Sequence, residues 1–227
     1  MPEGLHPSPW DAAVFGIPCY EITDPSEMLL AHAASTPGHY TVKIDPLADK
    51  GLLHQYGFYY TDTLLEPVCT TGQLISHVHP EACISTDVAL ADVQRICRHA
   101  FVHGRFQRDF NLPRDQADQR YVQWLAQMHA GGGVIGLLFE RELAGFIAHR
   151  MGDDQHDALL LHAVAEPFRG RGLAKFLWSE TCRYLFAQGA VELSSSVSAA
   201  NLPVLNLYAS LGFRFKDAVD VYHRLTA

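Results

Sequence analysis

Apolar positions follow two rhythms along this chain. Ala158-Leu-Leu-Leu-His-Ala-Val164 is a short, near-continuous apolar run that predicts a buried strand, and Leu173–Phe186 repeats its apolar residues at helical spacing. Further on, Val191–Ser198 alternates as a strand does. Asn201–Phe213 then reads as a helix, with Asn201 as its cap, Pro203 in the first turn and Gly212 as a left-handed stop. Upstream, Ala82–Ser85 predicts a strand, and Thr86 or Asp87 caps a helix running through His99. A second helix is expected near Gln116–His129, ended by Gly131-Gly-Gly133. Val134–Glu140 and Leu143–Met151 predict a hairpin around Arg141-Glu142. Residues 81–227 therefore read as one mixed α/β (α+β) unit, with a mixed, mostly antiparallel central sheet flanked by helices.

Residues 1–80 add a smaller unit with strand-like pieces at Tyr20–Ile22 and Tyr40–Ile44. Its last piece, Leu53–Asp62, mirrors Ala209–Asp217: a helix end, Gly-Phe, a strand, and an Asp five residues after the Gly. The mirroring predicts an N-terminal α/β domain that is a degenerate half of the larger unit; coincidence over so short a stretch is the alternative. Thr70–Pro80, with its Gly, His and Pro, links the two.

Chemistry concentrates at Val164-Ala-Glu-Pro-Phe-Arg-Gly-Arg-Gly-Leu-Ala174, between a strand and a helix start. Gly170 and Gly172 let backbone approach closely, and the unpaired N–H groups and dipole of a helix N-terminus favour an anion such as pyrophosphate. An ordinary strand-to-helix turn shares this physics. No Gly-x-Gly-x-x-Gly follows the first strand, and no Gly-Lys-Ser/Thr closes the turn. The form present, Arg169-x-x-Gly172-x-Ala174, resembles the acyl-CoA pyrophosphate loop of the GNAT superfamily of N-acetyltransferases. About thirty residues on, Asn201-x-Pro-x-x-x-Leu-Tyr208-x-x-x-Gly-Phe213 resembles that family's closing strand–helix–strand. The resemblance implies a GNAT fold and acetyl-CoA as co-substrate. It also implies cofactor contacts from Ala163, Val164, Arg169, Gly170, Arg171, Gly172, Leu173, Ala174, Asn201 and Asn206. It makes Tyr208 the general acid that protonates the departing thiolate, against the alternative that this ring only packs the last helix.

A narrower resemblance concerns the acceptor. Trp10-Asp-x-x-x-Phe15-Gly16, Gln55-Tyr-Gly-Phe58, Ala100–Phe106 and Tyr121-Val-Gln-Trp124 are similar to GNAT enzymes acting on nucleotide-linked amino sugars, above all the dTDP-fucosamine acetyltransferases. The implied function is acetylation of a nucleotide-linked 4-amino sugar for surface glycan synthesis. Trp10, Phe15, Arg105 and Phe106 become substrate-binding candidates, with Arg108 as a second phosphate ligand. Trp124 reads rather as core. The base that takes the amine proton stays open between Asp62, the first choice, His162 and an ordered water. Other amine acceptors (a protein N-terminus, a polyamine, an amino acid, an antibiotic) and a non-catalytic acyl-CoA-binding module are the competing readings.

The 227 residues are 48% hydrophobic and 19% charged, enough for a well-buried core. The net charge of −8 argues against general nucleic-acid binding, so anionic ligands need local basic sites. Five cysteines without a Cys-x-x-Cys suggest reduced thiols, and no apolar run has membrane-spanning length; both fit a cytoplasmic protein. Thirteen histidines include His77-x-His79 on one expected strand face and His99/His103 on one helix face, yet no spacing completes a metal site and none is expected. A homodimer is one option for the oligomeric state.

Overall fold

The computed structural model describes residues 2–227. In chain order the elements are β1 (Leu5–Pro7), α1 (Pro9–Phe15), β2 (Cys19–Ile22), α2 (Glu27–Ser35), β3 (Gly38–Ile44), α3 (Gly51–Gln55) and β4 (Tyr59–Thr70). They continue with β5 (Ala82–Ser85), α4 (Leu90–Cys97), α5 (Arg105–Arg108), α6 (Arg114–Ala130), β6 (Val134–Phe139), β7 (Glu142–Met151) and β8 (His156–Val164). The last are α7 (Ala174–Ala187), β9 (Glu192–Ser195), β10 (Val197–Ser198), α8 (Leu202–Ser210) and β11 (Arg214–Thr226).

One sheet runs through the molecule in the order β1-β2-β3-β11-β4-β9-β8-β7-β6-β5, with the short β10 paired to β4. Only β2–β3 and β8–β9 are parallel, so the sheet is mixed and mostly antiparallel. Each parallel pair spans a helix, as a parallel connection requires. The orders β2-α2-β3-α3-β4 and β8-α7-β9-α8-β11 correspond, apart from the two-residue β10 between β9 and α8. Gly57 and Gly212 both take positive φ (72° and 85°), and the phenylalanine after each, Phe58 and Phe213, is buried. Left-handed backbone after a helix suits glycine, which has no Cβ to clash.

The two halves exchange their last strands. β4, from the first half, pairs with β9 of the second; β11, from the second, pairs with β3 of the first. β4 and β11 are antiparallel to each other, and their register is two-fold: Tyr59 pairs with His223 as Val68 does with Arg214, and Asp62 with Val221 as Glu66 does with Asp217. Residues 1–80 and 81–227 are thus joined through the middle of the sheet. Each half has its own core, and a smaller cluster joins them, where Phe15 and Cys19 pack with Phe106, Leu112 and Ala117. Ile22, Leu29, Leu30, Val42, Phe58 and Tyr222 form the core of the first half. Leu137, Leu159, Leu177, Trp178, Leu193 and Tyr208 lie under α7 and α8, and Val93, Leu125, Phe146 and Leu161 under α4 and α6.

Several local expectations shift. α4 starts at Leu90, not at residue 86 or 87, because Ser85 and Asp87 close a turn through the Ser85 hydroxyl. It ends at Cys97, and His99 has φ 66°, so His99 and His103 share no helix face. His77 and His79 lie in irregular chain and not on a strand. α5, a single turn, was not anticipated; four residues carry too little periodicity to read.

The exchange predicts that a fragment of residues 81–227 will not fold alone, since removing β4 leaves an unpaired edge on both β9 and β11. Circular dichroism melting of the fragment should show no cooperative transition; a sharp one would mean that the second half closes its own sheet.

Candidate active site

β8 and β9 are paired only from His156↔Glu192 to Leu159↔Ser195. Beyond that point β8 continues along β7 to Val164, while the chain after Ser195 turns to β4, where Val197 meets Leu65 and Ser198 meets Leu64. The two strands therefore splay apart, and β8 beyond Leu159 has no strand partner on its β9 side. A bulge accompanies the splay: Ala148 pairs with Leu161 and His149 with Leu159, leaving Leu160 as the extra residue. A one-residue bulge reverses the alternation of side chains, which puts His162 on the same face as Leu159.

A cavity of about 1040 Å³ opens at the splay. At one end lies the loop between β8 and α7. Gly170 and Gly172 have φ 72° and 71°, and a Cβ at either would meet nothing within 4 Å. Their glycine identity therefore answers to backbone conformation and to open space, not to crowding within the protein. Left-handed glycines on either side of Arg171 curl the chain into an anion-binding concavity at the start of α7, which has no side-chain cap. Arg169 is tied back by its Nε to the Val164 carbonyl at 2.8 Å.

The opposite end is polar and aromatic. Asp62 is fully buried on the cavity wall; its Oδ1 accepts from Arg108 Nη1 at 2.5 Å and Ser198 Oγ at 2.8 Å, and its Oδ2 has no partner. Burial pushes this carboxyl up, against the Ser198 hydrogen bond and the Arg108 charge. Arg105 forms no ion pair among the described residues, and its buried Nε is also unpartnered. Phe106 lies between two guanidinium groups, Arg105 at 4.8 Å and Arg120 at 4.2 Å from its ring centre. Arg120 is held by Asp11 at 2.6 Å. Tyr121 and Trp124 complete this end.

The cavity gathers Asp62, Arg105, Phe106, Ala163, Val164, Arg169, Gly170, Gly172, Leu173, Ala174 and Asn201 from the sequence-derived candidates. It does not gather all of them. Phe15 is buried against Phe106, ring centres 5.6 Å apart, and Trp10, on α1, is likewise outside the wall. Phe15 is corrected from a substrate contact to a packing position, and Trp10 is not part of the cavity lining. Asn206 is exposed on α8 away from the cavity, and Arg171 lies over the rings of Phe139 and Phe168. Tyr208 is fully buried behind the wall, its hydroxyl 3.0 Å from Nε2 of His162, which lines the cavity. Burial raises the Tyr208 phenol and lowers His162 to about 4, leaving a neutral pair. Trp124, expected in the core, is on the wall. Arg120, Tyr121 and Ser198 were missed. The first two share a face of α6 with Trp124, a signal that was available, whereas Ser198 meets Asp62 only through the strand exchange. The four buried cysteines and the exposed Cys83 are all free thiols.

Fold and loop together define an acetyltransferase: residues 100–213 match the Acetyltransferase (GNAT) family, and the chain belongs to it. Members are acetyl-CoA-dependent N-acyltransferases. The chain is similar to the spore coat polysaccharide biosynthesis protein SpsD of Bacillus subtilis, 24% identical over 137 residues, 58% of this chain and 47% of the relative. It thus spans about half the length of that relative. Among solved structures it resembles a GCN5-related N-acetyltransferase from Sphaerobacter thermophilus (TM-score 0.61, 16% identity, 85% of this chain and 61% of that one). It also resembles a tandem GNAT protein from the clavulanic acid biosynthesis pathway (TM-score 0.59, 15% identity, 92% and 76%). At these identities the structures establish the fold. No helix among the described residues is long and apolar enough to cross a membrane.

Gly172→Asp puts a carboxylate in the concavity and forces a side chain into left-handed backbone. Calorimetry should show acetyl-CoA binding weakened by about tenfold or more; unchanged affinity would remove the loop from cofactor binding. His162 gives a second expectation. Its value falls from 6.5 unfolded to about 4 folded, so between those limits only the unfolded chain takes up the proton. Its contribution to stability is complete above pH 6.5 and lost as pH falls towards 4. The melting temperature should drop through that window, and less steeply in His162→Gln; equal slopes would mean that His162 titrates normally.

Proposed function

We propose that this protein transfers the acetyl group of acetyl-CoA to the amine of a nucleotide-linked 4-amino sugar, a step in surface glycan synthesis, and that it works in the cytoplasm. The observation that carries the acceptor side is the pair of unpartnered polar atoms in one cavity. Asp62 Oδ2 lacks a donor and Arg105 Nε lacks an acceptor. A buried polar group left unpaired is costly, so both atoms call for a ligand that offers a hydrogen-bond donor and an anionic oxygen. An amino sugar carrying a diphosphate has both. The similarity to a polysaccharide biosynthesis protein points the same way.

In this reading Asp62 Oδ2, the oxygen not held by Arg108 or Ser198, accepts the acceptor's N–H and takes its proton as the new C–N bond forms. Its raised affinity for protons suits that task. Arg105 faces the diphosphate, and Phe106 and Trp124 offer faces for the sugar or base. The first turn of α7 with Gly170 and Gly172 holds the pyrophosphate of acetyl-CoA. The open edge of β8 offers strand-like hydrogen bonds to its pantetheine amides. The Tyr208–His162 pair supplies the proton for the departing thiolate. A polyamine acceptor fits poorly beside Arg105, a guanidinium of the wall with no carboxylate partner among the described residues.

Thiol release from acetyl-CoA should be seen with a dTDP- or UDP-linked 4-amino sugar and not with spermidine or short peptides. With the active sugar nucleotide, Tyr208→Phe and Asp62→Asn should each lower kcat by about 100-fold, and Tyr208→Phe should leave acetyl-CoA affinity intact. Turnover of peptides alone would discard the sugar acceptor, and an unchanged kcat in either variant would remove that residue from the reaction.

A further inference from the structure

Outside the cavity wall, directly behind Phe106, lies a second polar cluster. Asp109, fully buried, accepts at Oδ2 from His223 Nδ1 at 2.8 Å and His39 Nε2 at 3.2 Å. The Tyr59 hydroxyl donates to both carboxylate oxygens at 3.1 Å, and the Asn111 backbone N–H to Oδ1 at 3.0 Å. His39 is on β3, Tyr59 on β4 and His223 on β11, so the donors come from both halves of the exchanged sheet. Burial alone would raise Asp109, but the hydrogen bonds from His223 and His39 outweigh it and hold the group below the usual carboxylate range. His223 is lowered to about 3, chiefly by burial. The cluster is therefore one carboxylate on which four hydrogen-bond donors converge.

Its position matters because of what precedes it. Asp109 follows α5 directly, and α5 carries Arg105 and Phe106 on the cavity wall and Arg108 on Asp62. One helical turn has no stability of its own, and this one has no capping side chain at either end. Its place must come from tertiary contacts. Three are polar and directed: Arg108 on Asp62, Gln107 on the Arg114 carbonyl and the Asp118 carboxylate, and Asp109 on the three strands, the one that ties the end of α5 to the sheet of both halves. The rings of His39 and His223 also pack against Phe106, at 6.2 and 5.5 Å.

We infer that Asp109 is the positioning residue of the acceptor site: fixed by His39, Tyr59 and His223, it sets α5 and with it the guanidinium of Arg105 and the ring of Phe106. It touches neither acceptor nor cofactor. Its effect falls on the acceptor end of the cavity, because α5 contributes nothing to the glycine loop or to the splayed edge of β8. The kinetic consequence rests on the proposed sugar-nucleotide reaction; the structural one does not.

Asp109→Asn preserves shape but removes the charge and one acceptor. Hydrogen exchange in residues 104–112 should rise by about tenfold or more, while α7 keeps its protection. The KM for dTDP-4-amino-4,6-dideoxy-galactose should rise by about tenfold with the acetyl-CoA KM within about twofold of wild type. Tyr59→Phe, which removes one donor and leaves the carboxylate paired, should move both readouts the same way by about threefold; it decides the matter if Asp109→Asn does not fold. Loss of protection across the whole sheet, or equal rises in both KM values, would make Asp109 a plain stability residue and overturn the inference. So would a stoichiometric divalent metal in the purified protein that Asp109→Asn loses. If the wild-type protein does not turn over the sugar nucleotide, the proposed reaction fails, and local exchange around α5 still decides the role of Asp109.

Discussion

The antiparallel pairing of β4 with β11 is the contact on which the rest of the molecule depends. Each strand closes the sheet of the half it does not belong to, so neither half completes its sheet without the other. Because β4 occupies the place beside β9, it gives the chain after Ser195 a new partner, and that diversion opens β8 from β9. The same pairing sets Asp62 of β4 next to Ser198 of β10 at the mouth of the splay. The fold thus makes the cavity and furnishes its polar end through one set of backbone hydrogen bonds.

Charge is distributed against the average. A chain with net charge −8 places Arg105 and Arg120 on one end of its cavity wall around Phe106, with Arg108 behind it on Asp62. Two of the three are held by carboxylates, Asp62 and Asp11, which fixes their geometry and leaves Arg105 as the unspent cation. In a partly enclosed space of low dielectric such a charge acts over short range on whatever enters.

Burial also decides which groups carry protons. His162 and His223 are both held neutral by desolvation, whereas Asp109 stays a carboxylate because four donors converge on it. Similar burial therefore gives opposite results at Asp62 and Asp109: the first keeps a free oxygen and rises, the second is saturated with donors and falls. The unsatisfied carboxylate is the one that faces the cavity, and the satisfied one anchors the helix behind it.

Local signals in the sequence determined a good deal. The glycines at 170 and 172 and the helix that follows them, the Gly212 stop and the β6–β7 hairpin depend on residues within a few positions of one another, and the structure has them where the pattern put them; Asn201 stands at the start of α8 but makes no side-chain capping bond. Asp62 was legible only because Gly57-Phe58 repeats Gly212-Phe213. What the tertiary structure decided are the contacts between distant strands and the side a ring faces. Apolar periodicity reports that an aromatic residue is buried, not whether protein or cavity covers it: Phe15 packs on Phe106 away from the cavity, and Trp124 packs against the core and also lines the cavity. Tyr208 matched its motif and still lies behind His162, because a bulge in β8, a strand far from it in sequence, turned the histidine to that face. The Asp109 cluster left no trace in the sequence at all. Its donors come from three strands whose adjacency exists only after the halves exchange them, and no local pattern can encode a pairing that the whole sheet must form first.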